Sequence, residues 1–436
     1  MRRVLTMIKK IAMMATLICL LSLLMLVNFN VAIANTSDLE KKVEMLIQQN
    51  QELSQKLLEV QQELAELKKS KTATQKINTQ ELQTESKENS WTPQIQISGL
   101  LEFGGAWQDV EDKHGDSESE SDLAMTTVEL HVDATVGEWI SAESTLLYED
   151  PTFENDETSL DLDTATIRLG NTEKSPFYLV GGVMYVPFGA LFEHFPDDPL
   201  IDAPLTLALG ETREKALLAG FERSGLSLSA YLFNGDVEEK GQEDHIENFG
   251  FDAHYSYKLI LGPHERYVKG TKFELEPENC INFLAGISYI SNIADSDGLT
   301  DIIGTEIDDY VDGFATYFRT EYCGYFFEAE YMTALDNFSS AELGLGVKKA
   351  KPSVWNFEAG FNYNWWKNLE IAIKYAGSDE AEALGFPQSR YGINFNQELF
   401  NGVTGSLGYI HDNYDNNDIE DRDNRDLLFW QLAVEF

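Results

Sequence analysis

The end of the chain alternates strictly. Leu428, Trp430, Leu432, Val434 and Phe436 are large and apolar, and the positions between them include Gln431, Ala433 and Glu435. Successive strand side chains point to opposite faces, so this segment is a strand with one apolar face. No residues follow Phe436 to make a turn. Such a strand is stable only inside a larger sheet, so the rest of the chain must supply neighbours with the same period.

It does so from Gln94 onward. Trp355, Phe357, Ala359, Phe361, Tyr363 and Trp365 share one face of a run whose other face holds Asn356, Glu358, Gly360, Asn362 and Asn364. Residues 247–258, 369–377 and 388–397 behave likewise. Sixteen strands follow: 94–107, 123–136, 140–150, 161–170, 177–185, 213–223, 226–235, 247–258, 281–291, 308–319, 325–336, 353–364, 369–377, 388–397, 402–412 and 425–436. Polar faces this wide, with aromatics near strand ends, fit a membrane barrel better than a soluble sandwich. The connections alternate short and long, as the two ends of such a barrel require. Among the long ones are 109–122, 186–212, 292–307 and 413–424. The connection 259–280 is long where a short turn is due, and an extra hairpin there would make eighteen strands. A last strand that closes on an aromatic resembles the assembly signal of outer-membrane barrels. The fold expected is all-β and transmembrane: an antiparallel outer-membrane β-barrel over 94–436.

What precedes the barrel reads differently. Arg2, Arg3, Lys9 and Lys10 stand before an apolar run from Ile11 to Val27, and Ala32-Ile33-Ala34 offers a cleavage site. Residues 1–34 are therefore a secretory signal peptide, the alternative being a retained anchor. Leu39, Val43, Leu46, Asn50, Leu53, Leu57, Val60, Leu64 and Leu67 keep a 4-3 spacing, the pattern of an α-helical coiled coil over 35–69. Asn50 falls at an a position, which fixes register and partner number. A coiled coil implies a homo-oligomer, dimer or trimer; a lone amphipathic helix is the alternative. Residues 70–93 read as a flexible linker.

Lys and Arg number 32 against 74 Asp and Glu, a net charge of −42. Nucleic acid is excluded as a partner, since binding it needs a basic face. Outer-membrane lipid and lipopolysaccharide are the expected surroundings, with divalent ions bridging the acidic loops. Catalytic and cofactor signatures are missing from the sequence: no nucleophile elbow, phosphate loop, paired-Cys zinc spacing or His-Glu-x-x-His. Neither an enzyme nor a cofactor is expected. The acidic run Asp412, Asp415, Asp418, Glu420, Asp421 and Asp423 has calcium-loop composition without the loop glycine, and Arg422 and Arg425 interrupt it. Cys280 before the ninth strand and Cys323 after the tenth fall side by side at the periplasmic rim, as a disulfide or as two free thiols.

Two regions carry the functional expectation. The third long loop is rich in proline and apolar residues, unlike its neighbours, and a loop so apolar should be buried. It either folds into the lumen as a constriction, bringing Pro187, Phe192, His194, Asp197, Asp198 and Asp202, or packs on a neighbour or over the rim. The second region is the lumen wall. Side-chain direction assigns Glu129, Asp133, Glu143, Arg168, Asp252, Lys258, Glu328, Glu330, Glu358, Glu370, Lys374 and Arg390 to it. His131 and His254 fall there too, read as polar lining rather than metal ligands. Charges of both signs orient polar solutes, and Arg168, Lys374 and Arg390 suit an anionic one.

The order signal peptide, Asn50-bearing coiled coil, Thr/Gln linker and sixteen-strand barrel carries a resemblance. The barrel opens near Ile95-Gln96-Ile97-Ser98-Gly99, and Gly181-Gly182-Val183-Met184-Tyr185-Val186-Pro187-Phe188-Gly189 leads into the proline-rich loop. Together they resemble the siderophore porin family typified by the legiobactin receptor. The resemblance implies uptake of a ferric, polycarboxylate-type siderophore through a Gram-negative outer-membrane channel without a plug domain, with the coiled coil in the periplasm. The alternative is a general porin, or one selective for another solute.

Overall fold

The computed structural model describes residues 93–150, 160–190, 192, 204–241, 246–260, 265–268, 271–274, 280–322, 324–339, 341–343, 350–363, 369–381, 384–414 and 421–436. The segments expected to form the signal peptide, the coiled coil and nearly all of the linker lie outside these residues. Sixteen antiparallel strands close into one barrel. They are β1 (Gln94–Asp112), β2 (Ser117–Val136), β3 (Ile140–Glu149), β4 (Leu160–Gly170), β5 (Phe177–Tyr185) and β6 (Arg213–Arg223). Then come β7 (Leu226–Asn234), β8 (Asn248–Ile260), β9 (Cys280–Ile290), β10 (Gly313–Tyr322) and β11 (Tyr325–Ala334). The last five are β12 (Ser353–Tyr363), β13 (Leu369–Asp379), β14 (Ser389–Phe400), β15 (Val403–Asn413) and β16 (Arg422–Glu435). β16 pairs with β1 from Leu100↔Glu435 to Asp112↔Arg422, so the sheet has no free edge. Closure is what lets strands span a bilayer, because every strand's backbone groups then pair within the protein.

The barrel is inside-out relative to a soluble one. Phe357, Tyr375, Ile393, Trp430 and Leu432 are exposed on its outer face, whereas Asn356, Glu358, Lys374, Asn394 and Gln431 are buried on its inner face. Phe436 continues the outer row, and its N–H and C=O both pair with Gly99. The apolar alternation of the final strand is thus a lipid-facing row.

Four details differ from the sequence reading. Strands β1 and β2 extend past the membrane as a ribbon, leaving only 113–116 as a turn where a long loop was expected. The Asp112 carboxylate accepts from His114 N and Asp116 N at 2.9 Å, and Ser119 Oγ donates to Asp109 at 2.5 Å. The tenth strand begins at Gly313 rather than 308. The long periplasmic connection does hold a hairpin, Glu265–Val268 with Thr271–Glu274, but it pairs only with itself and the barrel keeps sixteen strands. Finally, Asp412 does not belong to the acidic loop: it lies on β15, fully buried, facing inward. Cys280 opens β9; Cys323 lies outside the described residues.

Candidate lumen constriction and charged wall

The third long connection (L3, 186–212) leaves β5 and turns inward. Val186 N donates to Thr212 O at 2.9 Å, which closes its neck. Beyond the neck the loop crosses to the far wall. Gly189 N donates to Ser288 Oγ on β9 at 3.0 Å, and Ala190 N donates to Glu330 Oε1 on β11 at 2.6 Å. Ser288 Oγ and Tyr317 OH both donate to the Asp252 carboxylate, at 2.8 and 2.6 Å, so the anchor point is itself braced. Phe192 sits edge-on to Tyr317, with ring centroids 6.4 Å apart. A short helix, α1 (Leu205–Gly210), then packs against β11, β12 and β13. Phe188 and Leu209 are fully buried beside Met332 and Val354. The sequence signal was the apolar composition; the physical cause is that these side chains find the apolar upper wall of the lumen. Pro187 is partly buried at the neck and Phe192 is buried. His194, Asp197, Asp198 and Asp202 lie outside the described residues.

The next three long connections cap this arrangement, and nothing in the sequence reading foresaw it. In L5 (291–312) lie a 3-10 turn, Ile293–Asp295, and α2 (Asp297–Ile303). Glu238–Glu239 of L4 (235–247) pairs in parallel with Glu306–Ile307 of L5. Asp308 N donates to Glu342 of L6 (335–352) at 2.8 Å, and Asp297 N donates to Glu211 O of L3 at 2.9 Å. Ile293, Leu299, Ile307 and Phe338 are fully buried in one apolar core with L3. The loops thus form a lid over one sector of the barrel.

Asp295 is the polar hub of that lid. It accepts from Val237 N at 2.8 Å, Asn292 Nδ2 at 2.9 Å and Asn248 Nδ2 at 3.2 Å. Burial pushes its carboxyl up from 3.8 to about 7, with Asp236 adding repulsion against the hydrogen bonds that oppose the shift. Glu214 also faces the cluster, accepting from Asp236 N at 3.1 Å. A raised carboxyl favours the closed lid when protonated. That contribution is complete below the ordinary value of 3.8 and is lost as pH rises through about 7, at about 1.4 kcal/mol per pH unit. Hydrogen exchange at the amides of residues 237 and 292–300 is therefore expected to quicken, beyond the intrinsic rate, between pH 5 and pH 8 in the wild type. Asp295→Asn should reduce that dependence, Glu214 supplying what remains; an equal rise in the variant would refute it.

All twelve wall residues face inward by strand register, but they form separate groups. Arg319, Glu328, Glu358 and Lys374 stand at one level across β10 to β13, each opposite the next. Arg319 Nη1 lies 2.8 Å from Glu328 Oε1. Arg390 is bidentate to Asp412, Nε to Oδ1 at 2.8 Å and Nη2 to Oδ2 at 3.1 Å. Arg425 approaches Asp412 Oδ2 through Nη2 at 2.7 Å and Nε at 3.0 Å. This Arg–Asp–Arg clamp lies at the long-loop end of β14–β16. Arg168 is far away, near the short-turn end of β4, stacked over Tyr178 at 3.9 Å and 3.6 Å from Glu222. The three basic residues singled out in the sequence therefore do not converge on one solute, because they occupy different levels and sectors. Lys258 is exposed near the short turns, opposite Asn282. Glu370 accepts from Asn362 Nδ2. Both luminal histidines have local partners: His131 has Thr145 and Glu129, and His254 has Asp252. Arg425 and Asp412 were missed as a wall pair because the sequence joined them to the acidic run.

No family model matches the chain. It is 29% identical over 289 residues to a UPF0422 protein of Coxiella burnetii, a match covering 64% of this chain and 57% of that protein. With UPF0422 protein lpl2888 of Legionella pneumophila (strain Lens) it shares 22% over 343 residues, 73% of this chain and 59% of the relative. The chain thus spans less than three-fifths of the length of these relatives. Among solved structures, the anion-selective porin from Comamonas acidovorans superposes with a TM-score of 0.51 at 10% identity, covering 79% of this chain and 100% of that one. Salmonella typhi OmpF, solved in complex with daunomycin, gives 0.50 at 12%, covering 78% and 97%. At such identities the likeness shows the fold: the chain forms a sixteen-stranded, porin-like β-barrel of the outer-membrane type.

Proposed function

We propose that the protein is an outer-membrane channel that passes small polar solutes and whose width is set by L3. The observation that carries this reading is the anchoring of L3 across the lumen, on Ser288 and Glu330. A folded-in loop held on β9 and β11–β13 leaves the remaining passage against the rest of the wall, where β14–β16 carry Arg390 and Arg425 and β2–β4 carry Glu129, Glu143 and Arg168. Fixed charges in so narrow a passage select by sign and orient the solute.

The Arg390–Asp412–Arg425 clamp favours a finer reading: passage of a polycarboxylate ferric siderophore, which the sequence resemblance also implies. Two guanidiniums around one carboxylate leave net positive charge at the outer end of the wall, and guanidinium geometry suits carboxylates. A general diffusion porin is the simpler reading. Single-channel recording separates the two. The purified protein is expected to open a pore in planar bilayers. Block of that pore by micromolar ferric polycarboxylate siderophore would support the specific channel. An indifferent pore would leave the general one, and no conductance would refute both. The same recordings test assembly. With the heptads of residues 35–69 joining copies in the periplasm, current steps should arrive in groups, and deleting that segment should yield single steps.

A further inference from the structure

We propose, on the channel reading above, that the inner wall of β14–β16 and β1 binds an uncharged, polyhydroxylated solute: a small sugar. Strand register places the residues. Asn396 faces Ser406 on β15, and Ser406 faces Gln431 on β16. Asn394 is the next inward residue above Asn396 on β14. Glu102 on β1 faces Ala433, one inward position below Gln431. From Asn396 to Glu102 is three strand spacings, about 15 Å, the reach of a disaccharide. This strip lies on the wall that L3 leaves open, below the Arg390–Asp412–Arg425 clamp.

Its mark is a set of buried polar atoms without hydrogen-bond partners among the described residues. Asn394 Nδ2 donates to Asn396 Oδ1 at 3.0 Å. Whichever way the two amides are turned, one bond between them leaves a donor and an acceptor over. These are Asn396 Nδ2 and Asn394 Oδ1. The next pair repeats the pattern. Thr127 and Gln431 both stand beside the Glu102 carboxylate, yet Gln431 Nε2 and Glu102 Oε1 stay unpaired. None of the four side chains is more than 6% exposed. Buried polar atoms without partners are costly, so the strip favours a ligand that brings hydrogen bonds to all of them. Donors and acceptors alternate along it. A carboxylate only accepts and an ammonium only donates, so either would satisfy half of the atoms. A hydroxyl does both, and a sugar carries several on neighbouring carbons.

Phe429 adds the apolar surface on which the C–H face of a sugar ring stacks. Its ring lies across Gly408, where a Cβ would come 2.3 Å from Phe429 Cζ and 2.8 Å from Asn394 Oδ1. The bare backbone at 408 thus brings the aromatic ring and the unpaired carbonyl oxygen together. The charges at this level weigh against an anion. Glu102 belongs to the strip, Glu370 faces Asn396 from β13, and Lys374, one row higher, faces Glu358.

Sucrose is the probe, with two readouts that keep the site apart from the pore. One is saturation-transfer NMR of sucrose with the full-length protein in detergent; the other is block of single-channel current in planar bilayers. The wild type should show saturable binding and block in the millimolar range. Asn394→Leu combined with Asn396→Leu keeps the bulk and removes both amides, and should weaken both readouts at least tenfold. Gln431→Met should weaken them several-fold, whereas Glu102→Gln, which keeps an acceptor oxygen, should remain near wild type. Citrate, which mainly accepts, should compete at least tenfold more weakly than sucrose. Thermal melts followed by circular dichroism certify that each variant is folded. Wild-type binding by both the double variant and Gln431→Met would overturn the proposal. So would equal responses to sucrose and to polyethylene glycol of equal mass, which would mean that size alone acts. No saturation by sucrose in either readout would leave the strip to bound water and overturn it as well. Sucrose binding without current would uphold the site and refute the channel.

Discussion

Gly189→Ala is expected to widen the channel, raising single-channel conductance about twofold or more. Gly189 has φ +86°, a region where an L side chain is strained, and a Cβ there would lie 2.0 Å from Met332 Cε and 2.7 Å from Glu330 Oε1. The left-handed conformation alone costs about 1–2 kcal/mol for a residue other than glycine. Met332 is fully buried and Glu330 nearly so, so neither can yield without disturbing the anchor. The same residue donates the hydrogen bond to Ser288, and its neighbour donates the one to Glu330. Losing both would release L3 from the far wall. Glu330→Ala should act in the same direction by removing one acceptor, while Glu330→Gln, which keeps a carbonyl oxygen in reach, should remain close to wild type. Planar-bilayer recording of the three variants checks this. Wild-type conductance in Gly189→Ala would show that L3 does not set the width of the pore.

That L3 turns inward was foreshadowed by composition, whereas its landing place was not. Strand identity was legible for a simple reason. A strand between lipid and a polar lumen must alternate, and the run from Trp355 to Tyr363 alternates without exception. The turn at Ser224-Gly225 was legible too, because only these two residues separate two alternating runs; both take positive φ, 53° and 86°. The outer halves of β1 and β2 were not. Ser117 to Asp122 is polar on both faces, since above the membrane neither face meets lipid, and a ribbon without alternation reads as a loop. The wall pairs failed for another reason. Side-chain direction belongs to one strand, but which residues meet depends on the register between two strands. Arg390 could be assigned to the lumen from its own strand. Its meeting with Asp412 and Arg425 required the offsets of β14, β15 and β16. The lid was invisible for the same cause on a larger scale, since its core is drawn from four loops remote in sequence.

Register also defines the second large expected effect, at Asp412. This carboxylate is fully buried and stands between two guanidiniums, so replacing it leaves like charges facing each other across one strand. Breaking a buried pair in this way costs about 3–5 kcal/mol, more than the pair itself contributes, because the remaining charges are uncompensated. Asp412→Ala should therefore lower the thermal stability of the barrel markedly. Asp412→Asn keeps the shape and part of the hydrogen bonding, and should lose less. In both, the outer end of the wall gains a full positive charge. The reversal potential in a salt gradient should shift toward anion preference. Adding Arg390→Ala to Asp412→Ala should restore part of the stability and most of the original selectivity, a non-additivity expected of groups in direct contact. If the double variant is simply the sum of the two single ones, the clamp is not a coupled unit. If Asp412→Asn leaves the reversal potential unmoved, permeating ions do not pass along β14–β16. The pore would then have to run against the β1–β4 wall, whose inward charges include Glu129, Glu143 and Arg168.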